Sequence, residues 1–160
     1  MERDARVTYQ PINTLKRVAD NVWIVDGPAI RFGMPWPKFP FPTRMTVVRL
    51  ASGDLFVHSP TPLTPSLETA ITREGRVRFV VGPNRIHHWW IPEWKAAFSD
   101  AEVYSAPRIT EQANQHIASA GPPVTDLSAY PWDCGIGAVP ATGSPRSGTT
   151  FFSRRSPTFL

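Results

Sequence analysis

The chain has 160 residues, 41% hydrophobic and 11% aromatic, which is enough for one domain with a packed core and too few for two. Its formal charge of +4 comes from its end: Arg146, Arg154 and Arg155 follow Cys134 with no acidic residue, and without those three of the 17 cations, 14 face 13 acidic residues. A nearly neutral body with no Lys/Arg stripe argues against a nucleic-acid partner, and no apolar run reaches the length of a membrane span.

The first ten residues, MERDARVTYQ, have no apolar stretch behind them, so no secretory leader is visible. Cys134 is alone and cannot make an internal disulfide, and together these features lead us to expect a cytoplasmic chain. NVWIVDGP (21–28) is the first strand signal, with AIRF (29–32) continuing it or returning beside it. MTVVRL (45–50) and LFVH (55–58) predict a hairpin, with Gly53-Asp54 where a turn needs positive φ. A helix is expected next: Thr64 caps it, Pro65 suits its first position, Leu67, Ala70 and Ile71 form its apolar face, and Gly75 ends it. VRFVV (77–81) predicts a strand covered on both faces, Pro92 to Phe98 a second helix, and AEVYSAP (101–107) another strand.

The middle of the chain therefore reads β-β-α-β-α-β, an α/β (α+β) domain with a largely parallel sheet following an antiparallel hairpin. Three proline-dense stretches, GMPWPKFPFPTR (33–44), HSPTPLTPS (58–66) and the segment after Ala106, are expected to be loops or turns. EQANQHIASAG (111–121) is compatible with a short helix, and DLSAYPWD (126–133) with a loop carrying a buried aromatic pair. From residue 134 the chain shows turn residues and arginine but little periodicity, so the boundary falls between a domain at 1–133 and a weakly structured tail at 134–160.

RMTVVRLASGDLFVHSPTPL and VRFVVGPNRIHHWWIPEWKAAFSDAEVYSAP together resemble a bacterial domain family of unknown function related to the metallo-β-lactamase fold, over about residues 14–133. The resemblance implies a metallo-β-lactamase-like αβ half-sandwich, a mixed sheet with flanking helices. It also implies an incomplete second half and a truncated or frame-shifted end. In that fold the loop after the helix and strand that follow the hairpin carries H-x-H-x-D-H, which binds one or two zinc ions. Set against this chain, the first two histidine positions fall on Pro83 and Arg85, the aspartate on His87 and the last histidine on His88. His58 stands where hydrolases of the fold commonly have aspartate. A degenerate metal site is the implication. A half-built sheet with a free edge and a bare apolar face also leads us to expect a homodimer or aggregation.

The candidate residues each carry two readings. His87 and His88, with His58 or Asp26 as a third ligand, could hold zinc and a bound hydroxide for hydrolysis of an ester, thioester or phosphoester. Alternatively, one imidazole donates to the Gly-Pro-Asn turn and the other packs on tryptophan. Asn84 either holds a small-molecule substrate at a strand end or makes an Asx-turn. Trp89, with Trp90 and Trp94, lines a pocket or a partner surface, or builds core, the expectation for Trp90 and Trp94 at i and i+4. Trp36, Phe39 and Phe41 form an aromatic arm that docks a partner, or pin a loop over the sheet. Ser59, Ser66 and Ser105 lack a G-x-S-x-G setting, so no serine-hydrolase motif is present.

Overall fold

The computed structural model describes residues 7–32, 39–83, 87–105, 132, 136–141 and 148–153. Six strands form one sheet in the order in which the chain supplies them: β1 (Lys16–Ala19), β2 (Val22–Phe32), β3 (Phe39–Arg49), β4 (Leu55–His58), β5 (Val77–Gly82) and β6 (Glu102–Ser105). β1 through β4 pair antiparallel, and β5 and β6 join parallel to β4. The sheet is thus mixed rather than largely parallel. Helix α1 (Pro65–Glu74) links β4 to β5, and α2 (Ile91–Ala97) links β5 to β6. Two parallel crossovers advancing in one direction place both helices on the same face when they share the usual hand. Leu67, Ile71, Ile91 and Trp94 accordingly pack into one cluster with Trp23, Val25, Met45, Val47, Leu55 and Val57.

The helix and turn chemistry follows the sequence. The Thr64 side chain accepts from the Leu67 N–H at 3.3 Å, with Pro65 in the first turn. Gly53 sits at φ 88 in the β3–β4 turn, a conformation that costs glycine little.

Two strands run where loops or nothing were expected. β1 is short and polar, KRVA, and carries no alternation to read. β3 begins at Phe39, inside the proline-dense stretch. The Arg49 N–H donates to the Asn21 carbonyl, so by alternation the odd-numbered residues of β3 address β2. Pro40 and Pro42 therefore turn their nitrogens to the other side, where β3 has run past its pairing with β4 at Thr46–Arg49 and no ladder donor is needed. Phe39 and Phe41 on this extension are 57% and 49% exposed. They project from a strand rather than pin a loop. Trp36 lies outside the described residues.

The opposite face of the sheet is not bare. Phe56, Phe79, Val81 and Tyr104 are buried there, and Trp132 stands edge-on to Phe56, Phe79 and Tyr104 with ring centroids 5.0, 5.6 and 5.1 Å away. Ile136 joins the same cluster, at the start of β7 (Ile136–Ala141). β7 pairs antiparallel with β8 (Gly148–Ser153), a second small sheet within the stretch read as weakly structured. Residues 111–121 lie outside the described residues, as does Tyr130 of the expected aromatic pair. Among the described residues, no helix is long and apolar enough to cross a membrane.

Candidate functional site

The parallel strands β4, β5 and β6 all end at the same side of the sheet, at His58, Gly82 and Ser105. Loops leaving the carboxyl ends of parallel strands are where αβ sheets gather ligands. The loop after β4 opens with Ser59 and the loop after β5 opens with Pro83. Trp94 and Gly27 hold the first of these in place. The Trp94 indole N–H donates to the Thr61 carbonyl at 2.7 Å, and Thr61 packs on the β2 bulge at Gly27, where a Cβ would stand 2.8 Å from Thr61 Cγ2 and closer still to Thr43 Oγ1. Only glycine fits between those side chains.

Ser59 has φ 55, a left-handed backbone that serine rarely takes, while its N–H donates to the Val81 carbonyl at 2.9 Å. That geometry aims the hydroxyl across to the next loop. Ser59 Oγ lies 2.6 Å from His87 Nδ1, a short hydrogen bond between two loops. Burial, and next the neighbouring His88, push the His87 imidazole below its ordinary pKa, so the ring is neutral at neutral pH. His58 lies on the Phe56 side of β4 by strand alternation and is buried. Burial, then His87, lower its pKa to about 3.

The donor set does not fit a metal ion. Among the described residues no group of three or more His, Cys, Asp or Glu side chains is arranged to hold one. Asp26, the alternative third ligand, is taken: Arg44 donates from Nε at 2.8 Å and pairs through Nη2 at 2.7 Å with Oδ1, and Lys16 Nζ donates to Oδ2 at 2.8 Å. His87 Nδ1 is engaged by Ser59, and the buried Pro83, at the first ligand position of the resembled motif, has no side-chain donor. His88 accepts at its carbonyl from the Ile91 N–H at 3.1 Å and so sits one turn before α2. Asn84 and Arg85 lie outside the described residues. Trp89 is 42% exposed and edge-on to Trp90 at 6.1 Å, whereas Trp94 is fully buried and Trp90 packs against the helix-side core. Ser59, which in the sequence lacks a G-x-S-x-G setting, is the site residue to which that reasoning gave no role. Its only signal was its position directly after a buried strand end.

A family model described as "Domain of unknown function (DUF4336)" matches residues 20–110. The chain belongs to that family. The DUF4336 match runs from β2 through β6 and contains His58, Ser59, His87 and His88. No curated protein matches the chain. Solved structures do. A DIM-1 metallo-β-lactamase exposed to ceftazidime aligns at TM-score 0.64 with 14% identity, over 89% of this chain and 66% of that one. A metallo-β-lactamase from Hirschia baltica aligns at 0.60 with 10% identity, over 89% and 67%. The mono-zinc form of FIM-1 from Pseudomonas aeruginosa aligns at 0.57 with 12% identity, over 86% and 63%. The chain spans about two thirds of their length, and at such identities the likeness shows the fold alone. The fold is metallo-β-lactamase-like.

Proposed function

We propose that this DUF4336 chain is a metallo-β-lactamase-fold domain whose strand-end site works without an intact metal centre. The observation that carries the reading is the donor set: among the described residues no three His, Cys, Asp or Glu side chains are arranged to hold an ion, and His87 Nδ1 is hydrogen-bonded to Ser59 Oγ at 2.6 Å. The engaged carboxylate of Asp26 supports it from the hairpin side. Dialysis against zinc, removal of excess and elemental analysis test it. Less than stoichiometric zinc is expected, and one or two equivalents retained would overturn the reading.

The second reading, a zinc-dependent hydrolase acting on an ester, thioester or phosphoester through His58, His87 and His88, is favoured by one observation. The three imidazoles lie close enough to interact: burial first, and then the neighbouring ring, lowers the pKa of His58 (through His87) and of His87 (through His88). Zinc retained by the chain and lost in His88→Ala would establish it. The third reading, a protein-binding module, rests on exposed Phe39 and Phe41, and partner capture abolished by Phe41→Ser would favour it. We place the chain in the cytoplasm, in keeping with its single cysteine. Self-association belongs to the same proposal. The edge that β3 leaves open beyond β4 is blunted by Pro40 and Pro42, which leaves the outer strands β1 and β6 to pair across copies.

A further inference from the structure

Three non-glycine residues among those described have positive φ: Asn13, Asn21 and Ser59. Asparagine takes that conformation readily, whereas for serine it is a strained state. At Ser59 the strain is held in place by the Val81 carbonyl on one side and His87 on the other. The residue stands at a sharp turn directly after the carboxyl end of β4, with its hydroxyl raised toward a neighbouring imidazole. A nucleophile needs a base within about 2.6–3.2 Å. His87 Nδ1 meets that distance.

Resting on the metal-free reading of this site, we infer that Ser59 is a nucleophile and His87 its general base, acting on an activated acyl group, an ester or thioester of a small acid. Ser59 Oγ attacks the carbonyl carbon while its proton passes to His87 Nδ1. The bond from that carbon to the leaving oxygen or sulfur then breaks, and the leaving atom takes the proton from His87. Water next attacks the acyl-serine carbon and gives a proton to the same nitrogen. The Ser59 ester bond breaks, Oγ recovers the proton, and a carboxylic acid departs.

Two observations set the substrate class. No carboxylate among the described residues hydrogen-bonds His87, so the imidazolium that forms is little stabilised, His87 is a weak base, and the acyl group must be activated by its own leaving group. This suits thioesters and activated esters and not amides. Ser59 is only 5% exposed, so a small acyl group is the size that reaches it.

The test uses the full chain with two probes, a small alkyl fluorophosphonate and p-nitrophenyl acetate, each with and without EDTA. One adduct per chain is expected by intact mass, mapped to Ser59 by peptide sequencing, at the same rate with and without chelator. Ser59→Ala should take no adduct. His87→Gln, with a circular dichroism spectrum unchanged from wild type, should react about a hundredfold more slowly. Mapping in the wild-type chain decides the question even where a variant fails to fold. An unlabelled Ser59, or labelling at an equal rate in folded His87→Gln, overturns the inference. No adduct on a chain that also binds no zinc overturns this inference alone. Ester turnover that chelator abolishes overturns the metal-free reading beneath it.

Discussion

Trp94 and Thr61 are joined by a buried hydrogen bond, indole Nε1 to backbone carbonyl at 2.7 Å, which ties α2 to the loop leaving β4. Both residues are fully buried, so the bond lies in the core beneath the candidate site and not on its surface. It couples helix packing to the placement of Ser59, two residues before Thr61.

Replacing Trp94 by Phe keeps an aromatic ring but leaves the Thr61 carbonyl without its donor. The expected loss is about 1–3 kcal/mol of stability, and Trp94→Ala should lose about 3–5 kcal/mol because a cavity is added. Urea denaturation followed by circular dichroism measures both. Equal midpoints for wild type and Trp94→Phe would show that the bond contributes nothing.

Asp26 predicts an acid-sensitive fold. Burial alone would raise its pKa, but the hydrogen bonds and charges of Lys16 and Arg44 outweigh it and hold the carboxyl below its usual range. A depressed carboxylate contributes stability above its unfolded value, near pH 4, and that contribution disappears as pH falls through the lower folded value. Asp26→Asn should therefore lose about 2 kcal/mol at pH 7, and the gap from wild type should close in acid. Paired denaturation curves from pH 7 to pH 3 check this; a gap that widens in acid would contradict it.

His58 works in the same direction from a higher pH. Its folded pKa of about 3 lies below the ordinary 6.5, so the unfolded chain binds the proton that the folded chain refuses. Stability is complete above pH 6.5 and declines below it, by about 1.4 kcal/mol per pH unit for this one ring, until pH reaches about 3. His58→Gln should flatten the decline, His87 and, near the acid end, Asp26 supplying what remains. Parallel slopes for variant and wild type in a pH series of denaturation midpoints would refute this.

Much of the frame is legible in the sequence. Thr64, Pro65 and Gly53 marked a cap, a first turn and a hairpin with chemistry that works locally, and the VRFVV run announced a strand buried on both faces. The strands that escaped did so for physical reasons. Lys16 and Arg17 belong to an edge strand with no alternation, and Pro40 and Pro42 read as loop because their compatibility with β3 depends on which way their nitrogens face, a tertiary fact. The histidine pair could be located, but its chemistry could not. The partner of His87 is Ser59, 28 positions earlier, and no spacing motif predicts a left-handed serine at a strand end.

Zinc content is the most direct test of the account. The purified chain, loaded with zinc, freed of excess and analysed for metal, is expected to retain less than a stoichiometric amount, with the Ser59 to His87 bond intact. One or two zinc ions per chain, lost when His87 is replaced by Ala, would contradict it.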